Sequence, residues 1–160
     1  MSRLNASSLN TIRIDTYNSF NEPPKVISAL FRMGRSGSTV DNAMSGGIFV
    51  GIDMETGKLR ANAFAKLEHG GIVYSKHPDS GVSFKDFTIP YFSEVKEMAC
   101  QAAGFLADKL VGWDIGISAE GPVLIEGNGH YELQYLDVLY GGYRRNPVFR
   151  KVMSEAGIKA

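Results

Sequence analysis

The sequence is poor in the features that mark secreted, membrane-embedded or nucleic-acid-binding proteins. Cysteine is nearly absent: Cys100 stands alone, so no internal disulfide framework exists and a reducing compartment is expected. Cys100 falls in a predicted amphipathic helix and reads as a small buried apolar residue. Neither sign of charge dominates, with 17 basic and 17 acidic residues; the basic excess typical of a nucleic-acid surface is missing. No apolar run approaches the ~20 residues that cross a bilayer. The stretch from Met1 to Asn10 is polar and lacks the apolar core of a signal peptide. The expectation is a cytoplasmic protein with no nucleic-acid or membrane partner. Repeats and low-complexity tracts are lacking as well.

What is present is enough apolar sequence, 44% of 160 residues, to build a single domain with a real core. Asn10 to Thr16 suits a strand, with Ile12 and Ile14 on one face and Arg13 on the other. Tyr17 to Pro24 reads as a turn, and Lys25 to Met33 as a second strand closing a hairpin. Gly34 to Gly47, rich in Gly, Ser and Asn, reads as a working loop. Gly47 to Asp53 and Leu59 to Leu67 read as strands joined by a turn at Thr56-Gly57. Glu68 to Phe87 reads as irregular. Ser93 to Leu110 follows the 3.6-residue period through Val95, Met98, Ala99, Ala102, Phe105, Leu106 and Leu110, with Ser93 as its cap. Tyr131 to Tyr140 reads as a short helix or an ordered loop, and Asn146-Pro147 opens a C-terminal helix through Glu155. The fold class is α+β, with a mainly antiparallel sheet and flanking helices.

The segment Gly112 to Asn128 carries the chemistry. It reads as two strands joined by a three-residue turn, Ala119-Glu120-Gly121. That register sets Ile115 against Ile125 and Ile117 against Val123 on an apolar face. It sets Asp114 against Glu126 on the other face. Like charges so paired destabilise a hairpin, and a hard divalent cation resolves the conflict by taking carboxylate and amide oxygens. Asn128, two residues past Glu126, shares its face and adds a neutral oxygen. The glycine of Glu126-Gly127-Asn128 reads as keeping the approach open. Asp114, Glu126 and Asn128 are therefore the candidate Mg²⁺ ligands.

Arg13 and Arg32 lie on the polar faces of otherwise apolar strands. Beside a metal they read as phosphate clamps. The loop Gly34 to Gly47 offers backbone donors to an anion without a Walker or dinucleotide motif. His69, His77 and His130 have no metal-ligand spacing and read as surface or structural, with His130 placed to meet substrate. A metal-dependent nuclease shares the outline of the carboxylate pair but usually has a lysine where Asn128 stands.

These stretches together resemble an ATP-grasp ligase of the sugar-transfer-associated type, in its C-terminal catalytic half. The resemblance runs through Ser8 to Arg13, Phe31 to Asn42 with Ser45-Gly46-Gly47, His77 to Gly81, Gly112-Trp113-Asp114 and Gly121 to Asn128. It implies that ATP activates a carboxylate as an acyl phosphate, which an amine or other nucleophile then attacks. It implies Mg²⁺ on Asp114, Glu126 and Asn128, Arg13 and Arg32 at the transferred phosphoryl group, and Asn42, Gly46 and Gly47 at the nucleotide. It also implies that residues 1–160 form one domain without the subdomain that grips the nucleotide, so that a partner subunit or self-association completes the site. A link to polysaccharide or sugar-transfer pathways is implied in the same way. The alternatives are a remnant that binds metal, nucleotide or a sugar-linked ligand without ligating, and the nuclease.

Overall fold

The computed structural model describes residues 1–160 except 20, 21, 40, 42–45, 86, 108 and 158–160. Seven antiparallel strands form one sheet in the order β5-β4-β3-β2-β1-β6-β7. They are β1 (Thr11–Asn18), β2 (Lys25–Met33), β3 (Ile48–Ile52), β4 (Leu59–Ala65), β5 (Val73–Tyr74), β6 (Lys109–Ser118) and β7 (Gly121–Asn128). The described helices are α1 (Phe92–Ala103), α2 (Gln134–Tyr140) and α3 (Pro147–Glu155).

Alternation along the strands sorts the sheet into two faces. Ile12 and Ile14 of β1 pair with Phe31 and Ala29 of β2 and with Ile115 and Trp113 of β6. That face is apolar and is covered by Phe92, Val95, Ala99 and Ala103 of α1. On the opposite face, Leu136, Tyr143 and Phe149 close over Ile27, and Leu139 closes over Leu30 and Phe49. The Tyr140 hydroxyl ties α2 to the sheet: it accepts from Ile52 N at 3.0 Å and lies within donating reach of the carbonyls of Ile52, at 2.8 Å, and Ala29. Asn146 caps α3, accepting from Val148 N at 2.9 Å, and donates to the Ile27 carbonyl at 2.7 Å.

Several boundaries differ from the reading of the sequence. β1 runs to Asn18, into the expected turn. The strand from Leu59 stops at Ala65, where Leu67–His69 form a 3-10 turn. The irregular stretch contains β5 at the sheet's edge. Helix α1 ends at Ala103, and Lys109 and Leu110 belong to β6. Phe105 and Leu106 extend the helical period in sequence, yet they are 89% and 43% exposed. Gly104, a poor helix former, stops the helix, so the chain can turn back beside β1. Ser93 lies inside α1, and the residue before the helix, Tyr91, makes no side-chain cap.

Candidate functional site

The less apolar face of the sheet arranges its side chains in cross-strand rows. One row runs Phe64, Phe49, Arg32, Thr11 across β4, β3, β2 and β1. The next runs Leu30, Arg13, Asp114, Glu126 across β2, β1, β6 and β7. A third runs Ser28, Asp15, Gly112, Asn128. The period of two thus collects Arg13, Arg32, Asp114, Glu126 and Asn128 on one surface, where all five line a cavity of about 640 Å³.

The expected Asp114–Glu126 pairing is present, but by a different route. The turn has two residues, Ala119-Glu120, with Ser118 paired to Gly121. Ile115 therefore faces Leu124, and Ile117 faces Pro122. A bulge at Ile125 shifts the register by one and returns Asp114 to Glu126. The glycine between the two candidate ligands on β7 also has another purpose. A Cβ on Gly127 would lie 2.5 Å from the Trp113 ring, so Gly127 makes room for the indole, which donates to Thr16 Oγ1 at 2.8 Å.

Asp114 is 3% exposed and is neutralised from two sides. Arg13 grips it with both Nε and Nη2, the second at 2.9 Å. Arg32 Nη2 reaches its Oδ2 at 2.8 Å. Burial alone would push the carboxyl up; the Arg13 hydrogen bond and the charges of Arg32 and Arg13 outweigh it, and the carboxyl is held below its ordinary range. Arg32 is steadied in turn by Thr11 Oγ1, at 3.0 Å from Nε and 2.8 Å from Nη2. Asp41 accepts from Thr11 N at 2.9 Å and from its hydroxyl, and lies 3.8 Å from Arg32 Nε.

The open side of the cavity belongs to Glu126, which is exposed, and to half-buried Asn128. Asn128 Nδ2 donates to Glu126 Oε1 at 3.0 Å. A carboxylate offers about four lone-pair positions, and the arginines take three on Asp114. One remains, beside an exposed carboxylate and an amide oxygen. No group of three His, Cys, Asp or Glu occurs among the described residues, which disfavours a dedicated protein cage. Mg²⁺ needs no such cage, since it keeps waters and shares one or two carboxylates with phosphate oxygens. The donor set fits that ion.

The expected loop contributes differently. Gly46 gives its carbonyl to Arg35 Nε at 2.6 Å and faces His69. Neither Gly46 nor the buried Gly47 lines the cavity. Asn42 lies outside the described residues. Gly34, where the loop begins, is fixed on both sides: its carbonyl accepts from Asn5 Nδ2 at 2.8 Å and bonds His77 Nε2 at 3.0 Å. Its N–H donates to Ser8 Oγ at 3.1 Å. His77 is thus structural, and the Ser8 and His77 stretches hold the loop's root. His130 lines the cavity.

Reading the sequence missed Thr11, Asp41, Tyr131, Glu132 and Tyr135, all of which line the cavity. Asp41 was adjacent to the chosen Asn42. Thr11 opens β1, two residues before Arg13, and Tyr131, Glu132 and Tyr135 come from a segment after β7 with no periodicity to place it. A smaller apolar pocket of about 190 Å³ adjoins the cavity at Tyr135 and is walled by Phe49 and Phe64. Between the two, Lys66 pairs with Glu132 at 2.7 Å.

A model of the family described as sugar-transfer associated ATP-grasp matches residues 1–146. No curated protein matches the chain.

Proposed function

Because the chain belongs to the sugar-transfer associated ATP-grasp family, we propose that its sheet forms the metal- and phosphate-binding wall of an ATP-dependent carboxylate ligase. The coarse part of this is the family's own: an ATP-binding, ligase-like fold. The finer part rests on one observation, the convergence of Asp114, Glu126, Asn128, Arg13 and Arg32 on a single cavity. In this reading Glu126, Asn128 and the remaining lone pair of Asp114 hold Mg²⁺. Bound there, the ion would neutralise phosphate oxygens. Arg13 and Arg32 stabilise charge on the γ-phosphoryl group, since phosphoryl transfer depends mainly on positioning and electrostatics. A substrate carboxylate oxygen attacks the γ-phosphorus and ADP leaves. A nucleophile then attacks the acyl carbon and phosphate leaves. The apolar pocket beside Tyr135 would take the non-reacting part of the substrate. A sugar-polymer acceptor is the class the family description suggests.

None of the cavity's lining side chains among the described residues is a lysine. We therefore expect the nucleotide's opposite face to be gripped by residues beyond this sheet, from another segment or a second subunit. A second reading, binding without ligation, is favoured by the closure of Asp114 under two arginines.

Titration calorimetry of ATP with excess Mg²⁺ tests the proposal. Micromolar binding that disappears in Glu126→Gln supports the half-site. Binding that survives Glu126→Gln unchanged rules out these ligands.

A further inference from the structure

The same face holds a second polar cluster that the proposed reaction leaves unused. Asp15 is 1% exposed. Its Oδ2 accepts from Ser28 Oγ at 2.7 Å, while its Oδ1 has no hydrogen-bond partner. The buried hydroxyls of Tyr131 and Tyr143 also have none. Unpaired buried polar atoms are costly, and among the described residues all three such side-chain atoms fall in one neighbourhood. Burial first, and then the charge of Asp15, push both phenols up.

The cluster lies behind Arg13. The point where Gly112 would carry a Cβ is 3.1 Å from each of Arg13 Cδ, Asp15 Oδ1 and Tyr131 Cε1. Only a residue without a side chain lets the three meet. The Arg13 guanidinium also sits 5.4 Å from the centroid of the Tyr131 ring, within cation–π range. Arg13 therefore has Asp114 at its head, the Tyr131 ring against its face and Asp15 beside its stem.

Resting on the reading that Arg13 meets the transferred phosphoryl group, we propose that Asp15 and Tyr131 are positioning residues that hold Arg13 in place when Asp114 turns to a cation. With a cation sharing Asp114, the carboxylate's grip on Arg13 would weaken and a second positive charge would stand close by. Asp15 is then a buried carboxylate left to balance the guanidinium, and the Tyr131 ring limits where it can swing. The balance requires Asp15 to be ionised. Burial raises its carboxyl to about 6, against the opposing pull of Ser28 and Arg13. The titratable groups around it are Arg13 on β1, Asp114 on β6, Tyr131 after β7, Tyr140 at the end of α2, and Tyr143. Of these, Asp15 is the one brought to about 6.

Two measurements on the full chain test this. The first follows the Arg13 Nε–H resonance in the ligand-free protein with pH. An inflection near 6 is expected. Asp15→Asn should abolish it. A flat wild-type profile, or the same inflection in Asp15→Asn, overturns the proposal. The second compares Mg²⁺-ATP affinity of wild type and Asp15→Asn. A loss of roughly tenfold is expected at about pH 7.5, shrinking to none at about pH 5, where wild-type Asp15 is itself protonated. An equal loss at both pH values means a merely structural effect and overturns it. Absence of ATP binding in wild type would count against the ligase reading alone, because the ligand-free titration needs no nucleotide.

Discussion

Trp113 and Gly127 face each other across β6 and β7, and the indole fills the space a side chain at position 127 would need. The glycine between Glu126 and Asn128 is thus set by packing beneath the candidate site. Gly127→Ala should cost about 1–3 kcal/mol through overpacking. Trp113 is the chain's single tryptophan, so its emission reports the displacement directly, alongside the urea midpoint. Unchanged emission and midpoint would contradict the close approach.

The two facing carboxylates should respond to mutation in opposite ways. Asp114→Ala leaves Arg13 and Arg32, 13% and 18% exposed, without their shared carboxylate. A cost of about 2 kcal/mol is expected, below the value for fully buried pairs because both arginines keep some contact with water. Glu126→Gln is an exposed change and should alter stability by less than about 0.5 kcal/mol, while clearly weakening Mg²⁺ binding. Asp114→Asn should weaken Mg²⁺ binding less than Glu126→Gln does. Because Asp114 is depressed in the folded state, its contribution holds above the ordinary carboxylate value of about 3.9 and is lost as pH falls below it. Denaturant midpoints combined with metal titration separate the two roles; equal stability losses would refute the assignment.

Asp15 has the reverse pH sign. Its folded-state carboxyl is raised to about 6, so between the unfolded value of about 3.9 and that point the folded state binds more protons than the unfolded chain. Stability therefore falls as pH rises through this window, by on the order of 3 kcal/mol for a two-unit displacement. Asp15→Asn should flatten that slope and be neutral or stabilising near pH 7, seen as the mutant-minus-wild-type difference in urea midpoints. A constant difference from acid to neutral pH would show that Asp15 is not raised.

Much of this architecture was legible from periodicity. Lys25–Met33 matched its strand end to end, and Pro147–Glu155 matched its helix because Asn146-Pro147 is a strong start signal. The Asp114–Glu126 pairing was reached with a turn one residue too long, an error that the bulge at Ile125 cancels. A bulge depends on local twist and leaves no fixed mark in sequence. Thr11 and Asp41 were missed because their part is to steady Arg32, a role visible only once the loop from Gly34 is anchored. Gly112 and Gly127 looked alike in sequence, and only the side chains opposite them distinguish their uses.

Metal removal should leave the fold intact. In a site where two carboxylates are held together by a cation alone, a chelator releases repulsion and lowers the melting temperature. Here Asp114 already carries two arginines, and Glu126 is exposed to water, so repulsion between them is small without metal. EDTA should therefore leave Tm unchanged. Mg²⁺ with ATP at about a hundred times the dissociation constant should add about 2.7 kcal/mol, or roughly 5–10 °C for a domain of this size. That rise should need both ligands together, since the proposed ion shares the protein's few oxygens with phosphate, and it should vanish in Glu126→Gln. A fall in Tm on chelation would mean that Asp114 and Glu126 depend on a resident ion, and that the arginine grip is secondary. A rise retained in Glu126→Gln would move the nucleotide away from β7.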